Sequence, residues 1–175
     1  MTLPATAVRR VQRLSESEAA GLAELLIDCV DGGASVSFMQ PLSMARALVF
    51  WGGVGESVAR GERVLIVAED ASGIVGTVQL VLDQPENQPH RADLSKMLVR
   101  RSARRRGLGE ALMRAAEDAA RACGKSLLVL DTASADAERL YARLGWQRCG
   151  TVPGFALLPQ GGLCATTFFY RELAT

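Results

Sequence analysis

The segment that most constrains the fold is a run of arginines between a predicted strand and a predicted helix. Residues 97–109 read Met-Leu-Val-Arg-Arg-Ser-Ala-Arg-Arg-Arg-Gly-Leu-Gly. An apolar strand over 92–99 ends here, and apolar residues at helical spacing from Leu108 to Cys123 predict an amphipathic helix. The unpaired N–H groups of a helix N-terminus attract anions, and glycines let a bulky anion approach the backbone. On composition alone the arginines could form a solvated surface, but their position favours a phosphate site, although neither a Walker nor a Gly-x-Gly-x-x-Gly pattern is present.

Length and charge set the class of protein. The chain has 175 residues, the size of one domain, which we expect over residues 8–173 after a short tail at 1–7. Its 20 basic and 19 acidic residues argue against a nucleic-acid partner. No apolar run approaches the roughly 20 residues of a membrane span, and the first 13 residues lack the apolar core of a secretory signal. We therefore expect a cytoplasmic protein without a membrane partner, either a monomer or a homodimer.

The cysteines and the single histidine argue against metal and nucleophile chemistry. The four cysteines form no Cys-x-x-Cys pair and lie far apart, at Cys29, Cys123, Cys149 and Cys164. A structural zinc site needs about four ligands at close spacing. His90 alone, in a polar loop, makes a Cys–His nucleophile unattractive. We therefore expect no metal site and no disulfide, with most cysteines acting as small buried residues.

The remaining pattern predicts a mixed sheet. Strands are expected over 8–13, 64–68, 74–82, 92–99, 127–130, 146–157 and 165–171. A capping box at Ser15 to Glu18 opens one helix, and a second, capped by Ser43, is expected to break or kink at Gly52 and Gly53. A short helix follows over 137–144, and Asp136 is the residue expected to cap it. The strand–helix–strand unit over 92–132 implies one parallel crossover, and the flanking hairpins imply antiparallel neighbours.

These motifs together resemble the GCN5-related N-acetyltransferase (GNAT) superfamily. Arg104-x-x-Gly107-x-Gly109 matches its [RQ]-x-x-G-x-[GA] acetyl-CoA motif, and residues 137–146 match its A-x-x-[LF]-Y-x-x-x-G-[FW] segment. The resemblance covers about residues 8–173 and is most specific over 93–146. It implies an α/β fold with a mostly antiparallel sheet, one central parallel crossover and helices on both faces. Residues 32–39, 130–132 and 150–155 resemble more narrowly the tabtoxin-resistance acetyltransferases, which acetylate a small amine-bearing β-lactam.

The resemblance also implies a set of residues for acetyl-CoA. Backbone N–H groups of the loop and helix start would bind the pyrophosphate, and the strand before them would pair with the pantetheine arm. Ser134 stands where many relatives carry an asparagine that bonds the pantetheine, and Arg143 aligns with a basic position near the phosphates. The full set of expected cofactor residues is Met97, Leu98, Val99, Arg104, Arg105, Arg106, Gly107, Leu108, Gly109, Glu110, Ser134 and Arg143.

Acyl transfer from a thioester to an amine sets the expected catalytic groups. The ammonium must lose a proton, and the thiolate leaving group benefits from one. By resemblance Tyr141 is the acid, while plain core packing remains the alternative. Asp93, at the head of the central strand, is the first candidate base, and Asp131, at the end of the next strand, is the second; either could instead bond a loop amide. Ser35, Phe38 and Asp131 are expected to contact the acceptor, with a place in the core as the alternative for Phe38.

The expected activity is acetyl transfer from acetyl-CoA to a small amine by direct attack in a ternary complex. The amine could belong to a toxin or antibiotic. One alternative is a protein or peptide N-terminal acetyltransferase, which needs an open groove. Another is a non-catalytic acyl-CoA-binding sensor, which could dispense with Asp93, Asp131 and Tyr141. The presence of all three residues favours an enzyme.

Overall fold

One seven-stranded sheet flanked by four helices makes up the part of the chain that the computed structural model describes, residues 6–174. The strands are β1 (Ala7–Val11), β2 (Arg63–Asp70), β3 (Gly73–Val81), β4 (Arg91–Val99), β5 (Leu127–Thr132), β6 (Gln147–Leu157) and β7 (Leu163–Glu172). The helices are α1 (Glu16–Asp31), α2 (Met44–Ala59), α3 (Leu108–Ala122) and α4 (Ala135–Arg143). Residues 1–5 of the predicted tail lie outside the described residues, and Ala7 already begins β1.

The sheet has the order β1-β2-β3-β4-β5-β7-β6. Strands β4 and β5 are parallel, and every other neighbouring pair is antiparallel. This confirms the predicted mixed, mostly antiparallel sheet with one parallel pair. The insertion of β7 between β5 and β6 was not predicted, because hairpin partners alone do not reveal which of them pairs with β5.

Helices cover both faces of the sheet, as predicted. On one face, Leu112 and Met113 of α3 and Tyr141 of α4 belong to a core cluster with the strands. On the other, Leu22 of α1 and Trp51 of α2 belong to a second cluster. No helix among residues 6–174 combines the length and the apolar character that crossing a membrane requires.

The predicted break in α2 is wrong. The helix runs without interruption from Met44 to Ala59, through both glycines. Ala47, Trp51 and Val54 are buried at helical spacing, so one face of α2 packs against α1 and the sheet on both sides of Gly52 and Gly53. That packing outweighs the helix propensity that the glycines lose, about 1 kcal/mol each.

The helix caps agree with the sequence at two helices and differ at a third. Ser15 forms the predicted capping box with Glu18, and the Ser43 hydroxyl accepts from the Arg46 N–H at 3.2 Å. At α4 the cap is Ser134, whose hydroxyl accepts from the Ala137 N–H at 3.2 Å. Asp136, expected to cap this helix, lies in its first turn and pairs with Arg139.

Candidate active site

A cleft opens where the two parallel strands separate. Strands β4 and β5 pair only from Arg91 with Leu127 to Asp93 with Val129. Beyond this point β4 continues to Val99 and β5 to Thr132 without pairing to each other. The N-termini of α3 and α4 flank the gap, and the resulting cleft has a volume of about 860 Å³. Since the separated strand edges lack a strand partner there, their backbone N–H and C=O groups are available to an extended ligand.

Most of the sequence-predicted site residues line this one cleft. They are Met97, Leu98, Val99, Arg104, Arg105, Gly107, Leu108, Gly109, Glu110, Ser134 and Arg143, together with Ser35, Asp131 and Tyr141. Arg106, Phe38 and Asp93 do not line it. Leu98 and Leu108 are buried in the two cores, so only their backbones face a ligand.

The two glycines at the start of α3 have different roles in the structure. Gly107 precedes the helix with a φ of 79°, a left-handed conformation that favours glycine, and an added Cβ would meet no atom within 4 Å. Helix α3 has no side-chain cap, so its first N–H groups remain unpaired beside the cleft. At Gly109 an added Cβ would lie 2.9 Å from Leu140 Cδ2. Gly109 therefore also lets α3 pack closely against Leu140 of α4.

The arginine cluster divides into two groups. Three arginines pair with acids of neighbouring elements: Arg100 with Glu24 at 3.6 Å, Arg101 with Asp28 at 3.0 Å and Arg106 with Asp70 at 3.5 Å. The side chain of Arg106 thus turns away from the cleft, and only its backbone, the part predicted to bind the pyrophosphate, is left for a ligand. Arg104 and Arg105 line the cleft without an ion-pair partner among residues 6–174. Their charges are available to an anion.

Helix α4 and the first turn of α3 form the wall opposite Arg104 and Arg105, at what is the basic end of the cleft. Arg143 is exposed and lines the cleft, and so does Arg139, which the sequence analysis did not single out. The Ser134 hydroxyl is engaged as the helix cap, although the residue lies at the cleft surface. The carboxylate of Glu110 pairs with Arg114 at 2.8 Å. Because that carboxylate would repel a phosphate, Glu110 can offer a ligand only its backbone.

Tyr141 is both a core residue and a cleft residue. Its side chain is 4% exposed, and its ring packs against Trp146 and Phe169 with centroid distances of 6.0 and 5.7 Å. The residue also lines the cleft. Burial raises the pKa of the phenol well above its usual range, and the nearby Asp131 carboxylate adds to the shift. Tyr141 therefore holds its proton firmly, as a hydrogen-bond donor must.

Asp131 lies at the end of β5 on the far side of the gap from β4. Its Oδ2 accepts a hydrogen bond of 2.7 Å from the Thr166 hydroxyl of β7. The residue is exposed to the cleft and has no ion-pair partner among the described residues. One hydrogen bond leaves most of the acceptor capacity of a carboxylate unused. Asp131 can therefore receive a cationic ligand group.

Asp93 is not brought to the cleft, which corrects its predicted place beside the acceptor. It occupies the last paired position of β4 with β5, below the point where the strands separate. Its carboxylate pairs with Arg91 and accepts from Gln84 Nε2 at 3.2 Å. Asp93 therefore has the structural role that the sequence left open as an alternative: it is a strand-end carboxylate bonded to a loop.

The loop between α1 and α2 forms one side of the cleft. Ser35 lines the cleft and lies 3.5 Å from the Leu157 carbonyl of β6. The Gln40 N–H donates to the Pro159 carbonyl at 2.9 Å, so the loop is bonded to the β6–β7 turn. Phe38, predicted to contact the acceptor, packs instead edge-on against Phe50 at 5.2 Å. Its neighbour Ser37 faces the cleft.

Lys96 is the main cleft residue that the sequence analysis missed. It lies in β4 with a φ of 51°, unusual for a residue with a side chain. Burial lowers the pKa of its ammonium, the Arg63 charge adds to this effect, and the Asp131 charge opposes it. The available signal was compositional, since Lys96 and Lys125 are the only lysines in the sequence. Among residues 6–174 no group of three or more His, Cys, Asp or Glu residues is arranged to hold a metal ion.

Comparisons with solved structures show that the whole architecture is a known one. A putative acetyltransferase from Salmonella typhimurium, solved with its cofactor acetyl-CoA, superposes with a TM-score of 0.80 at 19% identity, over 98% of this chain and 95% of that one. A GNAT superfamily phosphinothricin acetyltransferase from Sinorhizobium meliloti, solved in complex with acetyl-CoA, superposes with a TM-score of 0.76 at 20% identity, over 97% and 89% of the two chains. At these identities the likeness establishes the fold.

Sequence comparison establishes the family. An uncharacterised N-acetyltransferase from Azospirillum brasilense is 32% identical over 126 residues, which cover 71% of this chain and 73% of the relative. The family model described as the acetyltransferase (GNAT) family matches residues 37–146. That range contains the elements that build the cleft: β4, helix α3 with its N-terminal glycines, β5 and α4. The chain belongs to the GNAT family of acetyltransferases.

Proposed function

We propose that this protein transfers the acetyl group of acetyl-CoA to a small amine, by direct attack in a ternary complex. The observation that carries the proposal is the convergence of three features on one cleft: the open N-terminus of α3, the Tyr141 hydroxyl and the Asp131 carboxylate. A binding module would need only the first of these. An acetyltransferase uses all three.

The basic end of the cleft fits the phosphates of coenzyme A. Arg104, Arg105 and Arg143 carry no ion pair among the described residues, and α3 contributes unpaired N–H groups beside the open space at Gly107. The unpaired edge of β4 at Met97 and Val99 suits an extended pantetheine arm, which would bind there as an added strand. Two structures of the same fold were solved with acetyl-CoA, which supports this assignment.

The other end of the cleft fits an amine and a leaving group. Asp131 binds the acceptor ammonium and, directly or through water, receives the proton that the amine must lose. The nitrogen lone pair then attacks the thioester carbonyl, the C–N bond forms, the C–S bond breaks, and the nitrogen gives its second proton to water as it becomes an amide. The sulfur leaves as a thiolate, which Tyr141 stabilises by donating a hydrogen bond. Asp93, bonded to Arg91 and Gln84 outside the cleft, has no role in this scheme.

A small acceptor is favoured over a peptide because one side of the cleft is closed. The loop after α1 is bonded to the β6–β7 turn through Gln40 and Pro159, and Ser35 approaches Leu157. An extended peptide would need an open groove at this place. The narrower likeness to tabtoxin-resistance acetyltransferases points in the same direction, and it remains a proposal.

The test is a screen for thiol release from acetyl-CoA by the purified protein. We expect release to depend on small primary amines and to be absent with peptides that present only an N-terminal amine. Turnover confined to peptides would replace the proposal with peptide N-terminal acetylation. Tight acetyl-CoA binding without release for any amine would favour the sensor. Asp93→Asn serves as the matched control, because it changes a carboxylate of the same sheet outside the cleft.

A further inference from the structure

The backbone of β4 is distorted at the one lysine that faces the cleft. Lys96 has a φ of 51°, and the pairing of β3 with β4 shifts register between Thr77 and Gln79, opposite this residue. Leu94 belongs to the core beneath α3, whereas Leu98 belongs to the core beneath α1 and α2. In a regular strand, side chains four residues apart lie on the same face. The bulge therefore reverses the strand's faces and turns Lys96 into the cleft.

The ammonium of Lys96 has little to balance its charge. Its Nζ lies 3.3 Å from the Ser37 hydroxyl and 5.7 Å from the centroid of the Phe50 ring. The charged groups that act on it are Arg63 of β2 and Asp131 of β5, and neither forms an ion pair with it. Within residues 6–174 no carboxylate oxygen lies within 4.0 Å of Nζ. An ammonium has three donors, and a neutral hydroxyl satisfies one of them.

The polar groups next to Lys96 are also short of acceptors. Arg63 donates to Gln79 Oε1 at 2.6 Å, but Arg63 Nε and Gln79 Nε2 are buried without a hydrogen-bond partner. Gln79 pairs in register with Ser95, the residue before Lys96. Neither Arg63 nor Gln79 lines the cleft, and the Arg63 charge adds to the positive potential behind Lys96. Lys96 is thus the cation that this part of the wall presents to the cleft, whereas Asp131 supplies its carboxylate from across the gap.

We infer that Lys96 binds a carboxylate of the acceptor, so that the acceptor is an amine of the amino-acid type rather than a simple alkyl amine. The acceptor's ammonium faces Asp131 and its carboxylate faces Lys96. The inference rests on the proposed acetyl transfer for its setting and names the substrate class of that site. A neutral Lys96 that takes the amine's proton is the competing role, and the experiments below separate the two.

A kinetic test compares acceptors that differ only in the carboxylate. Methionine and 3-(methylthio)propylamine form such a pair, with rates corrected for the fraction of free amine. Lys96→Met keeps the apolar stem and removes the charge, and we expect it to raise KM for methionine at least tenfold while KM for the alkyl amine stays within twofold. Lys96→Arg should recover part of the loss. A fall in kcat of similar size for both acceptors would identify a base and overturn the inference.

A binding test reads Lys96 without any acetyl transfer. Because the chain has only two lysines, lysine labelled with ¹³C at Cε gives two side-chain signals, which Lys96→Met assigns. Lys125, whose Nζ donates to the Leu82 and Pro89 carbonyls, is the internal reference. Burial lowers the pKa of Lys96 in the free protein, so its signal should titrate below the usual range of a lysine.

Saturating methionine should move the Lys96 titration to higher pH and leave that of Lys125 unchanged, since a bound carboxylate stabilises the ammonium. No shift, a shift to lower pH, or an equal shift with the alkyl amine would overturn the inference. The two proposals fail separately. A carboxylate-dependent shift without acetyl transfer contradicts the proposed function alone, and transfer that Lys96→Met impairs equally for both acceptors contradicts this inference alone.

Discussion

At the scale of single residues, Tyr141 shows how packing and chemistry share one side chain. The ring is held between Trp146 and Phe169, and the residue borders the cleft. Burial raises the pKa of the phenol, with a further contribution from the Asp131 charge. The pKa of a cysteine thiol is about 8.5. Full proton transfer from the Tyr141 phenol to a thiolate is therefore uphill. In the proposed reaction Tyr141 therefore donates a hydrogen bond that stabilises the leaving sulfur while keeping its proton.

Tyr141→Phe removes the hydroxyl and keeps the ring in the core. We expect kcat to fall by about one to three orders of magnitude, since the range for acid–base assistance is roughly 10²–10⁴ and a hydrogen-bond donor supplies less. Steady-state thiol release measures the loss. Calorimetric acetyl-CoA affinity and Tm should stay close to wild type, because the ring contacts remain. An unchanged kcat would reduce Tyr141 to a packing residue.

Asp131→Asn and Asp93→Asn form a matched pair of carboxylate changes. Asparagine at 131 can still accept from Thr166, so the loss is mainly that of charge. We expect KM for the amine to rise about tenfold, or ~1.4 kcal/mol, because the ammonium loses its partner. We also expect kcat to fall, because asparagine cannot receive the amine's proton. Asp93→Asn should keep wild-type kinetics, since its side chain bonds Arg91 and Gln84. The reverse pattern would restore Asp93 as the base.

Sequence reasoning reached the right strand ends but could not resolve which side chains face the cleft. Asp131 and Tyr141 were predicted near the site, and they line it, although their roles stay predictions. Asp93 and Phe38 were also expected near the acceptor, and they do not line the cleft. The pattern of β4 reads as a regular strand, so nothing in it reveals that the bulge at Lys96 turns that residue inward.

At the scale of elements, the start of α3 combines a left-handed glycine with an uncapped helix. Gly107→Asp adds a Cβ and a negative charge to the open space there. Acetyl-CoA affinity should fall at least tenfold, or ~1.4 kcal/mol, as measured by calorimetry. Gly61→Asp is the control, because Gly61 has a φ of 74°, similarly open surroundings and no place in the cleft. Equal losses at both positions would point to general destabilisation.

Helix α2 offers a test of why the predicted break does not occur. Neither Gly52 nor Gly53 has an atom within 4 Å of an added Cβ, and neither has a positive φ. Gly52→Ala and Gly53→Ala should each raise the free energy of unfolding by about 0.4–1 kcal/mol, as read from urea denaturation. Gly55→Ala should gain less or lose stability, because its Cβ would lie 3.1 Å from that of Leu14. Three equal gains would contradict this explanation.

The elements themselves were largely predictable, because their patterns are local. The apolar stripe of α3, the capping box of α1 and the β2–β3 hairpin lie where the sequence places them. The failure at α2 has a tertiary cause, since burial of Trp51 and Val54 is not visible in a glycine count. The cap of α4 was predicted wrongly for a different reason, because serine and aspartate are equally suitable as caps and both Ser134 and Asp136 stand at the start of this helix.

For the whole molecule, the decisive feature is the separation of β4 from β5 after three paired residues. Each of the two strands is still paired on its other side, β4 with β3 and β5 with β7, and this pairing holds it in place. The gap therefore persists as a defined cleft, with cations at one end and Asp131 and Lys96 at the other. The mixed sheet was predicted from the order of elements, but the position of β7 and the length of the parallel pairing depend on long-range contacts that no local pattern encodes.

Direct acetyl transfer within this cleft has a kinetic signature that two-substrate initial rates reveal. Thiol release is measured while acetyl-CoA and an amine are both varied, and the acetylated amine is identified by mass. Direct transfer predicts amine-dependent release, double-reciprocal lines that intersect, and no acetyl group on the quenched protein. Release that does not depend on the amine, or parallel lines with an acetylated protein, would contradict it.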